Sequence, residues 1–374
     1  MRFVFWASAM VIAYAYVGYP LLLWLRSWWS PRPVMHGAGT PEVSAVMVVR
    51  NEEAAIAPKL GNLLALDYPP AKLEVVVVSD GSTDGTEKML AEFARNDSRV
   101  RPVMKPDSRG KAAGLNHAIA AARGEVLLFT DARQPIEPQA LRLLIENFAD
   151  PEVGAASGEL MLGDPRTGET GKGMGLYWRI EKKIRELESA SGSVAGATGA
   201  LYCARRDLLD PLPQGAILDD VLLPMQIVRR GSRVIFDSRA RAWDSPDLGS
   251  SREFARKVRT LSGNYQLLQL APWLLGSSNA IRFEFVSHKL LRLVVPFALL
   301  GLLISSLFLS GSLYRAALIA QLVFYALSLV AIGGIKLGPL SRIADPARTF
   351  VVLNSAAMVA FVNFVIGRKA VWVR

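Results

Sequence analysis

Hydrophobic residues along this chain fall into two arrangements. Both ends carry long, almost uninterrupted apolar runs, whereas the middle alternates short apolar runs with polar, Gly-rich turns. A run of roughly twenty apolar residues is long enough to cross the hydrocarbon core of a bilayer as a helix. The pattern therefore predicts membrane-spanning helices at both ends and a soluble domain between them. The predicted spans are residues 3–25, 290–309, 314–332 and 350–366.

The central pattern predicts alternating strands and helices. VVVVSDGSTDGT (residues 75–86) runs four β-branched residues into an acidic, Gly-rich turn that opens a helix, and VLLFTDAR (residues 126–133) ends in a similar acidic turn. SAVMVV (residues 44–49) predicts a buried strand ahead of both. Such spacing is typical of parallel strands joined by crossover helices. We therefore predict one α/β domain of Rossmann-like type over residues 43–244, inserted between transmembrane helices.

Composition agrees with a membrane protein that handles anions. Of the 374 residues, 51% are hydrophobic, and the mean hydropathy is +0.26. The formal net charge of +10 favours an anionic membrane surface and phosphorylated substrates. Nucleic acid is the alternative partner, but no nucleic-acid-binding motif accompanies the charge, so none is expected. The single cysteine, Cys203, excludes an intrachain disulfide, and the three histidines show no metal-ligand spacing.

Basic residues beside the apolar runs predict the orientation. We interpret the first run as a permanent anchor, with a cleaved signal peptide as the alternative. Arg26 and Arg32 follow it and place the central domain in the cytoplasm. The basic linker before the last span is also expected inside, so that span would leave Arg368, Lys369 and Arg374 outside, against the positive-inside rule. Either this segment is re-entrant or the count of spans is wrong.

Polar side chains follow the predicted strands, where the ligand crevice of such a sheet lies. Asn51 and Glu52 follow the first strand, and Asp80 ends the second. A carboxylate at this point can accept hydrogen bonds from uracil N3 or from ribose hydroxyls, and a turn residue is the plainer alternative for Asp80. Asp84 and Thr86 fit better as capping residues of the next helix.

Two further residues suit a nucleoside diphosphate. Lys111 begins a helix, where the macrodipole already carries positive charge, so either a diphosphate balances it or the side chain is simply solvated. Asp131 ends a strand and is the predicted ligand of a divalent cation that neutralises a leaving diphosphate. A strand-end aspartate alone is more often a capping residue, but the pairing of Asp131 with Asp80 favours the metal.

An acidic pair, Asp219 and Asp220, opens a later helix, after a small-residue segment (residues 196–209) that allows close approach of an acceptor. The two carboxylates fit either helix capping or a general base. A sugar hydroxyl that attacks an anomeric carbon loses its proton as the bond forms, and one carboxylate suffices for a single displacement with inversion. We assign this role to Asp220.

The order of these pieces resembles the family 2 glycosyltransferases with a GT-A fold, especially membrane-integrated members such as the cellulose, chitin, hyaluronan and poly-N-acetylglucosamine synthases. The resemblance extends from the first central strand through the last membrane segments. It implies that Asn51, Glu52 and Asp80 bind the nucleotide, and that Lys111, within a GKAxxLN-like segment, lies near the diphosphate.

The resemblance also implies a metal site and a base. Asp131 corresponds to the family's DxD motif, which binds metal and diphosphate, but Arg133 stands where a second acid or a polar residue is usual. The planar guanidinium of Arg133 is suited to bind phosphate directly. The TED motif corresponds to residues 218–220, with Asp220 as the catalytic base and Asp219 in the place of the glutamate.

The last motif of the family, QxxRW, lies on an amphipathic helix at the membrane surface and corresponds to residues 256–260. Arg259 matches its arginine, whereas Arg256 replaces the glutamine and Thr260 replaces the tryptophan. An acceptor platform built on that indole is therefore missing or supplied by another residue, for which Tyr265 is the candidate.

These observations predict an inverting glycosyltransferase that transfers a sugar from a UDP-sugar to a growing polysaccharide at the inner membrane, with Mg²⁺ or Mn²⁺ as cofactor. One alternative is a single transfer to a membrane lipid, which Arg256 favours because ceramide-type glucosyltransferases are similar at that position. The other is a non-catalytic, nucleotide-binding regulator of a partner synthase, which Arg133 suggests. A homo-oligomer or an accessory membrane subunit stays open as a further partner.

The loops between residues 158 and 196, on which donor selectivity depends, carry no interpretable signal. The predicted division of the chain has four parts. The parts are an N-terminal transmembrane helix (1–28), a cytoplasmic GT-A domain (40–250), interfacial amphipathic helices (251–285) and C-terminal transmembrane helices (286–374).

Overall fold

The fold is that of a computed structural model, which describes residues 1–163, 176–244, 250–335 and 338–368. In these residues one sheet of seven strands forms the centre of the molecule. The strands are β1 (Val43–Val49), β2 (Leu73–Asp80), β3 (Val100–Lys105), β4 (Val126–Phe129), β5 (Val153–Leu162), β6 (Tyr202–Arg205) and β7 (Arg233–Asp244).

Helices precede, connect and follow these strands. The α-helices are α1 (Arg2–Ala13), α2 (Tyr19–Trp29), α3 (Glu53–Leu64), α4 (Thr86–Asn96), α5 (Lys111–Ala121), α6 (Ala140–Glu146), α7 (Leu176–Ser191), α8 (Asp219–Arg229), α9 (Ser250–Leu270), α10 (Arg282–Phe285), α11 (Leu291–Phe308), α12 (Ser312–Ile332) and α13 (Ser341–Val365). Turns of π-helix at Tyr14–Gly18 and Val286–Leu290 join α1 to α2 and α10 to α11. Short 3-10 helices lie at Pro70–Lys72, Asn147–Ala149, Arg206–Leu208, Pro272–Leu275 and Gly338–Leu340.

The order of the strands in the sheet creates a ligand crevice. The order is β3-β2-β1-β4-β6-β5-β7, with β1 parallel to both β2 and β4. The chain leaves β1 toward β2 on one side and reaches β4 on the other, so the carboxyl ends of β1 and β4 border the point where a doubly wound sheet binds its ligand. The predicted α/β fold is confirmed. The antiparallel pairing of β6 with β4 and β5 was not predicted.

The strands are continuous apolar runs because helices cover both faces of the sheet. All seven residues of β1 are buried. Val46 and Val48 belong to a core shared with α5 and α8, whereas Ala45 and Met47 belong to a second core shared with α3 and α6. Burial on both faces is the usual environment of parallel strands. The two cores hold the carboxyl ends of the strands at one edge of the sheet.

Within the described part of the chain, four helical segments are long and apolar enough to cross a membrane: Arg2–Trp29, Arg282–Phe308, Ser312–Ile332 and Ile343–Val365. Phe5 near the start of α1 packs on Tyr314 at the start of α12, with ring centroids 4.8 Å apart. Phe364, at the end of α13, stacks on Tyr265 of α9 at 5.3 Å. The end of α13 therefore lies against α9. Lys369 and Arg374 lie outside the described residues.

A buried polar cluster attaches α7 to two of the apolar helical segments. The ring of His288 contacts Glu188 Oε1 through Nδ1 at 2.8 Å and Glu181 Oε1 through Nε2 at 2.9 Å. Tyr19 of α2 donates its hydroxyl to Glu188 Oε1 at 2.6 Å, and Arg292 of α11 pairs with Glu181. We call His288, Glu181, Glu188, Tyr19 and Arg292 the α7 clamp.

Candidate active site

Asp80, at the tip of β2, organises the loop that leads into α5. Its carboxylate accepts hydrogen bonds from Ser108 Oγ (2.7 Å) and from the backbone N–H groups of Arg109 (2.8 Å) and Gly110 (2.9 Å). Asp80 is almost fully buried and lines a cavity of about 240 Å³ together with Lys105 and His117. In this structure Asp80 thus fixes the start of α5 and borders a space beside the crevice.

Lys111, the first residue of α5, brings distant carboxylates together. Its Nζ lies 3.0 Å from Asp131 Oδ1 and 3.1 Å from Asp219 Oδ2. Burial alone would lower the pKa of Lys111, but the charges of Asp131, Asp219 and Asp220 outweigh it and raise the pKa above its usual value. Lys111 therefore stays protonated and offsets the repulsion among the three acids.

Asp220 differs from its neighbour in environment. Burial and, next, the charge of Asp219 raise the pKa of Asp220 to about 6, although Lys111 and Lys289 oppose this. The backbone carbonyl of Asp220 accepts from Ala197 N at 2.7 Å. A Cβ added at Gly199 would lie only 3.4 Å from Asp220 Oδ2, so the absent side chain leaves that face of the carboxylate open. A group with this pKa can accept a proton near neutral pH.

Arg133 and Glu52 form an ion pair at the rim of the crevice. Arg133 Nη2 lies 2.9 Å from Glu52 Oε1. The bond to Glu52 raises the pKa of Arg133, and the charges of Glu52 and Asp244 add to the effect. The side chain of Arg133 is 58% exposed, so part of its guanidinium faces solvent. Glu52 thus orients Arg133 in this structure.

Asn51 shapes the turn that follows β2. It has a positive φ of 54°, which Asn tolerates better than most residues. Its Oδ1 accepts from Thr83 N at 2.7 Å, and its own N–H donates to Ser82 Oγ at 3.2 Å. Asp84 Oδ1 accepts from the backbone N–H and the hydroxyl of Thr86 at the start of α4, as a capping residue does.

The residues of the last predicted motif lie on α9. Arg256 Nη1 is 3.4 Å from Asp244 Oδ2 at the end of β7, the same carboxylate whose charge acts on Arg133. Arg259, three residues further along α9, is partly buried. Tyr265 stacks on Phe364 of α13. Its ring therefore packs on a membrane helix, and it does not replace the missing indole as an open platform.

The acidic residues permit a metal ion that is held mainly by its substrate. Among the described residues, no group of three or more His, Cys, Asp or Glu side chains is placed to hold a metal. Asp131 is 41% exposed, and only its Oδ1 contacts Lys111. Mg²⁺ and similar ions are commonly held by one or two carboxylates together with substrate phosphates and water. Asp131 fits such a site as a single protein ligand.

Three residues near the crevice were not identified from the sequence. Lys59 is buried beneath the loop that carries Asp131. Arg185 of α7 donates to Thr198 Oγ1 at 2.7 Å, and it lies in the region that carried no interpretable signal. Tyr202 stacks on Phe129 at 4.4 Å, and its buried hydroxyl has no hydrogen-bond partner among the described residues. A basic residue at a helix position within an apolar face was the only available signal for Lys59.

Comparison with known proteins identifies the domain. The family model "Glycosyl transferase family 2" matches residues 44–212. This segment is a family 2 glycosyltransferase domain, and its sheet is of the GT-A type. The match ends before α8, so the acidic pair at the start of that helix lies beyond it.

Individual relatives agree with this assignment. Over 235 residues the chain is 24% identical to a poly-beta-1,6-N-acetyl-D-glucosamine synthase of Staphylococcus aureus, a match that covers 60% of this chain and 55% of the relative. Over 172 residues it is 27% identical to a beta-monoglucosyldiacylglycerol synthase of a Nostoc species, covering 46% of this chain and 37% of the relative. The chain thus spans about half the length, or less, of these curated relatives.

A solved structure covers nearly the whole chain. It is a mannosyltransferase from Pyrobaculum calidifontis in complex with GDP-Man and Mn²⁺. The similarity has a TM-score of 0.73 with 26% sequence identity, and it covers 97% of this chain and 99% of the other. It therefore includes the four apolar helical segments and α8 as well as the family 2 domain.

Proposed function

We propose that this protein is an inverting, metal-dependent glycosyltransferase that transfers a sugar from a nucleoside diphosphate sugar to a membrane-bound acceptor. The observation that carries the proposal is the position of Lys111 between Asp131 and Asp219, close enough to Asp220 for the charge of that carboxylate to act on it. Three carboxylates and one cation within a single crevice match the needs of a diphosphate leaving group and an incoming alcohol.

Each of these residues has a separate role in the proposed reaction. Asp220 takes the proton of the acceptor hydroxyl as its oxygen bonds to the anomeric carbon, while the bond between that carbon and the diphosphate oxygen breaks on the opposite side. The nucleoside diphosphate leaves with the bonding electrons. Lys111 and Arg133 bind its phosphate oxygens, and Asp131 would hold a divalent cation that neutralises the developing charge. Asp80 keeps the Lys111 loop in place through its three hydrogen bonds.

Two nucleotide sugars are candidate donors, a UDP-sugar and GDP-mannose. The sequence predicts a UDP-sugar, with the nucleotide near Asn51, Glu52 and Asp80. The mannosyltransferase that resembles nearly the whole chain was solved with GDP-Man and Mn²⁺, which supports GDP-mannose as the other donor. The pyrophosphate chemistry is common to both, so the proposal for Lys111, Asp131 and Asp220 does not depend on the base.

For the acceptor, one observation favours the lipid alternative over the predicted polysaccharide. Thr260 stands in the place of the tryptophan of the last motif, and the ring of Tyr265 is packed on Phe364. An aromatic platform that would keep a growing glycan in register is therefore not formed by these residues. The relatives include both a polysaccharide synthase and a glycolipid synthase. We propose a single transfer to a lipid at the cytoplasmic face of the inner membrane.

The test is release of nucleotide from a panel of UDP-sugars and GDP-mannose, with Mn²⁺ and a membrane lipid extract as acceptor. We expect Asp220→Asn to lower kcat by ~10²–10⁴-fold because the base is lost. Asp67→Asn is the matched control, since Asp67 is an exposed carboxylate paired with Arg142. Release from no donor would contradict the proposal and favour a non-catalytic nucleotide-binding regulator. The size of the product then separates a glycolipid from a polysaccharide.

A further inference from the structure

A lysine lies buried directly under the metal-binding loop. Lys59 of α3 is 2% exposed. Its ammonium donates to Thr130 Oγ1 at 2.7 Å and to the carbonyl oxygen of Gln134 at 2.5 Å. These acceptors stand on either side of the segment that carries Asp131 and Arg133. The lysine therefore holds both ends of this segment from below.

The Thr130 hydroxyl also contacts the loop that lies over Asp220, the proposed catalytic base. Thr130 Oγ1 donates to the carbonyl oxygen of Ala200 at 2.9 Å. Ala200 follows Gly199, whose bare Cα faces the Asp220 carboxylate. A chain of two hydrogen bonds thus joins Lys59 to the loop of Asp131 and, through it, to the loop that lies over Asp220.

We propose that Lys59 is a positioning residue that keeps the Asp131 loop in register with the loop over Asp220. The inference rests on the proposed function, in which Asp131 holds the cation and Asp220 the acceptor proton. Both acceptors of Lys59 are uncharged, so the ammonium is not placed there to neutralise a carboxylate by direct contact. Burial lowers the pKa of Lys59 to about 7, although Asp131 opposes this. An apolar side chain would fill the same space without that penalty.

The position of Lys59 complements that of Lys111. Lys111 touches the carboxylates from the crevice side, where a diphosphate is expected to compete for its charge. Lys59 and Thr130 are both almost fully buried, so a ligand in the crevice is not expected to compete for the bond between them. A fixed contact beneath the loop is therefore needed to hold Asp131 while Lys111 turns to the phosphate.

The test compares Lys59→Met and Thr130→Val with the wild-type protein. Thr130→Val keeps the shape of the side chain and removes the hydrogen bonds of Thr130 Oγ1 to Lys59 and to Ala200. The proposal can therefore be judged even if Lys59→Met folds poorly. Asn62→Leu is the matched control: Asn62 lies one turn along α3 and holds the backbone of Ile136, beyond the segment of Asp131. Binding of Mn²⁺ is measured by electron paramagnetic resonance with GDP or UDP present, and the metal dependence of kcat is measured in parallel.

We expect the half-saturating Mn²⁺ concentration to rise about tenfold in Lys59→Met and Thr130→Val, together with a lower kcat, and to stay unchanged in Asn62→Leu. A general loss of folded protein would lower the amplitude of binding without shifting this concentration. Unchanged Mn²⁺ affinity and kcat in both variants would overturn the inference. Absence of any Mn²⁺–nucleotide binding or turnover in the wild type would instead overturn the proposed function, and this inference with it.

Discussion

Two adjacent aspartates acquire different chemical properties from their surroundings. Asp219 is buried and in direct contact with the ammonium of Lys111, whereas Asp220 is half-buried beside it and feels the charge of Asp219. Burial disfavours an ionised carboxyl group, and a neighbouring negative charge disfavours it further. The result is an acid of raised pKa next to one that is already paired. This separation of roles suits Asp220 to receive a proton.

A prediction follows for the pH dependence. The base must be ionised, so kcat/KM is expected to fall as pH decreases through about 6, the pKa of Asp220. Asp219→Asn removes the second cause of the raised pKa and frees Lys111 to act on Asp220. The acid limb should therefore move to lower pH. Rates of nucleotide release measured between pH 4.5 and 8 test this.

The control for this pH profile is Asp67→Asn, which changes an exposed carboxylate far from Asp220 in the sequence. It should leave the acid limb of the kcat/KM profile at the same pH. A limb that moves to higher pH in Asp219→Asn, or does not move, would show that Asp220 is not the group that titrates.

At the scale of residues, the sequence predicted the positions of side chains at the strand ends better than the contacts that these side chains make. Parallel strands bring their carboxyl ends to one edge, so Asp80 and Asp131 could be placed from strand positions alone. The ion pair of Glu52 with Arg133, and the three bonds of Asp80 to its own loop, depend on loop conformation. No periodicity encodes that conformation. Lys59 was missed because a single basic residue in an apolar helix is not distinctive.

At the scale of elements, apolar runs predicted the parallel strands closely. The predicted strand 44–49 corresponds to β1 (Val43–Val49), and the helix start at Lys111 coincides with α5. The antiparallel direction of β6 and the helix α7 were not predicted, because both follow from long-range packing rather than from a local pattern. The α7 clamp joins α7 to residues that lie 100 or more positions away along the chain.

The α7 clamp makes a prediction about stability. His288→Leu leaves the buried Glu188 with Tyr19 as its remaining partner in the clamp, and an uncompensated buried charge costs about 3–5 kcal/mol. Glu188→Leu leaves the ring of His288 with Glu181 alone. We expect each single change to lower the Tm clearly, and the double change to lower it by less than the sum. Thermal unfolding of the purified protein in detergent measures the three variants.

Lys183→Met is the matched control for the clamp. Lys183 lies on the same helix but is 63% exposed and pairs only with its helical neighbour Glu186. Its replacement should change the Tm little, since exposed ion pairs contribute about 0–1 kcal/mol. Additive effects of His288→Leu and Glu188→Leu would mean that the two side chains do not act as one unit.

At the scale of the whole molecule, the packing of the membrane helices bears on the orientation that the basic residues left unresolved. Phe5 packs on Tyr314, so the start of α1 lies with the turn between α11 and α12. Phe364 stacks on Tyr265, so the end of α13 lies with α9. α9 in turn packs beside the active site, because a Cβ at Gly263 would lie 2.6 Å from Leu218. The end of α13 is thus on the side of the catalytic domain.

This arrangement predicts that Arg368 faces the cytoplasm, which agrees with the positive-inside rule. If α13 instead crossed to the outside, Arg368 would lie outside, against that rule. Cysteine labelling with a membrane-impermeant maleimide tests it, and the background is low because the single native thiol, Cys203, is buried. In intact cells Ser310→Cys, in the turn after α11, should be labelled. Arg368→Cys should react only after permeabilisation, as should Ser98→Cys in the catalytic domain. Labelling of Arg368→Cys in intact cells, with Ser98→Cys protected, would place the end of α13 outside and refute the orientation that its contact with α9 implies.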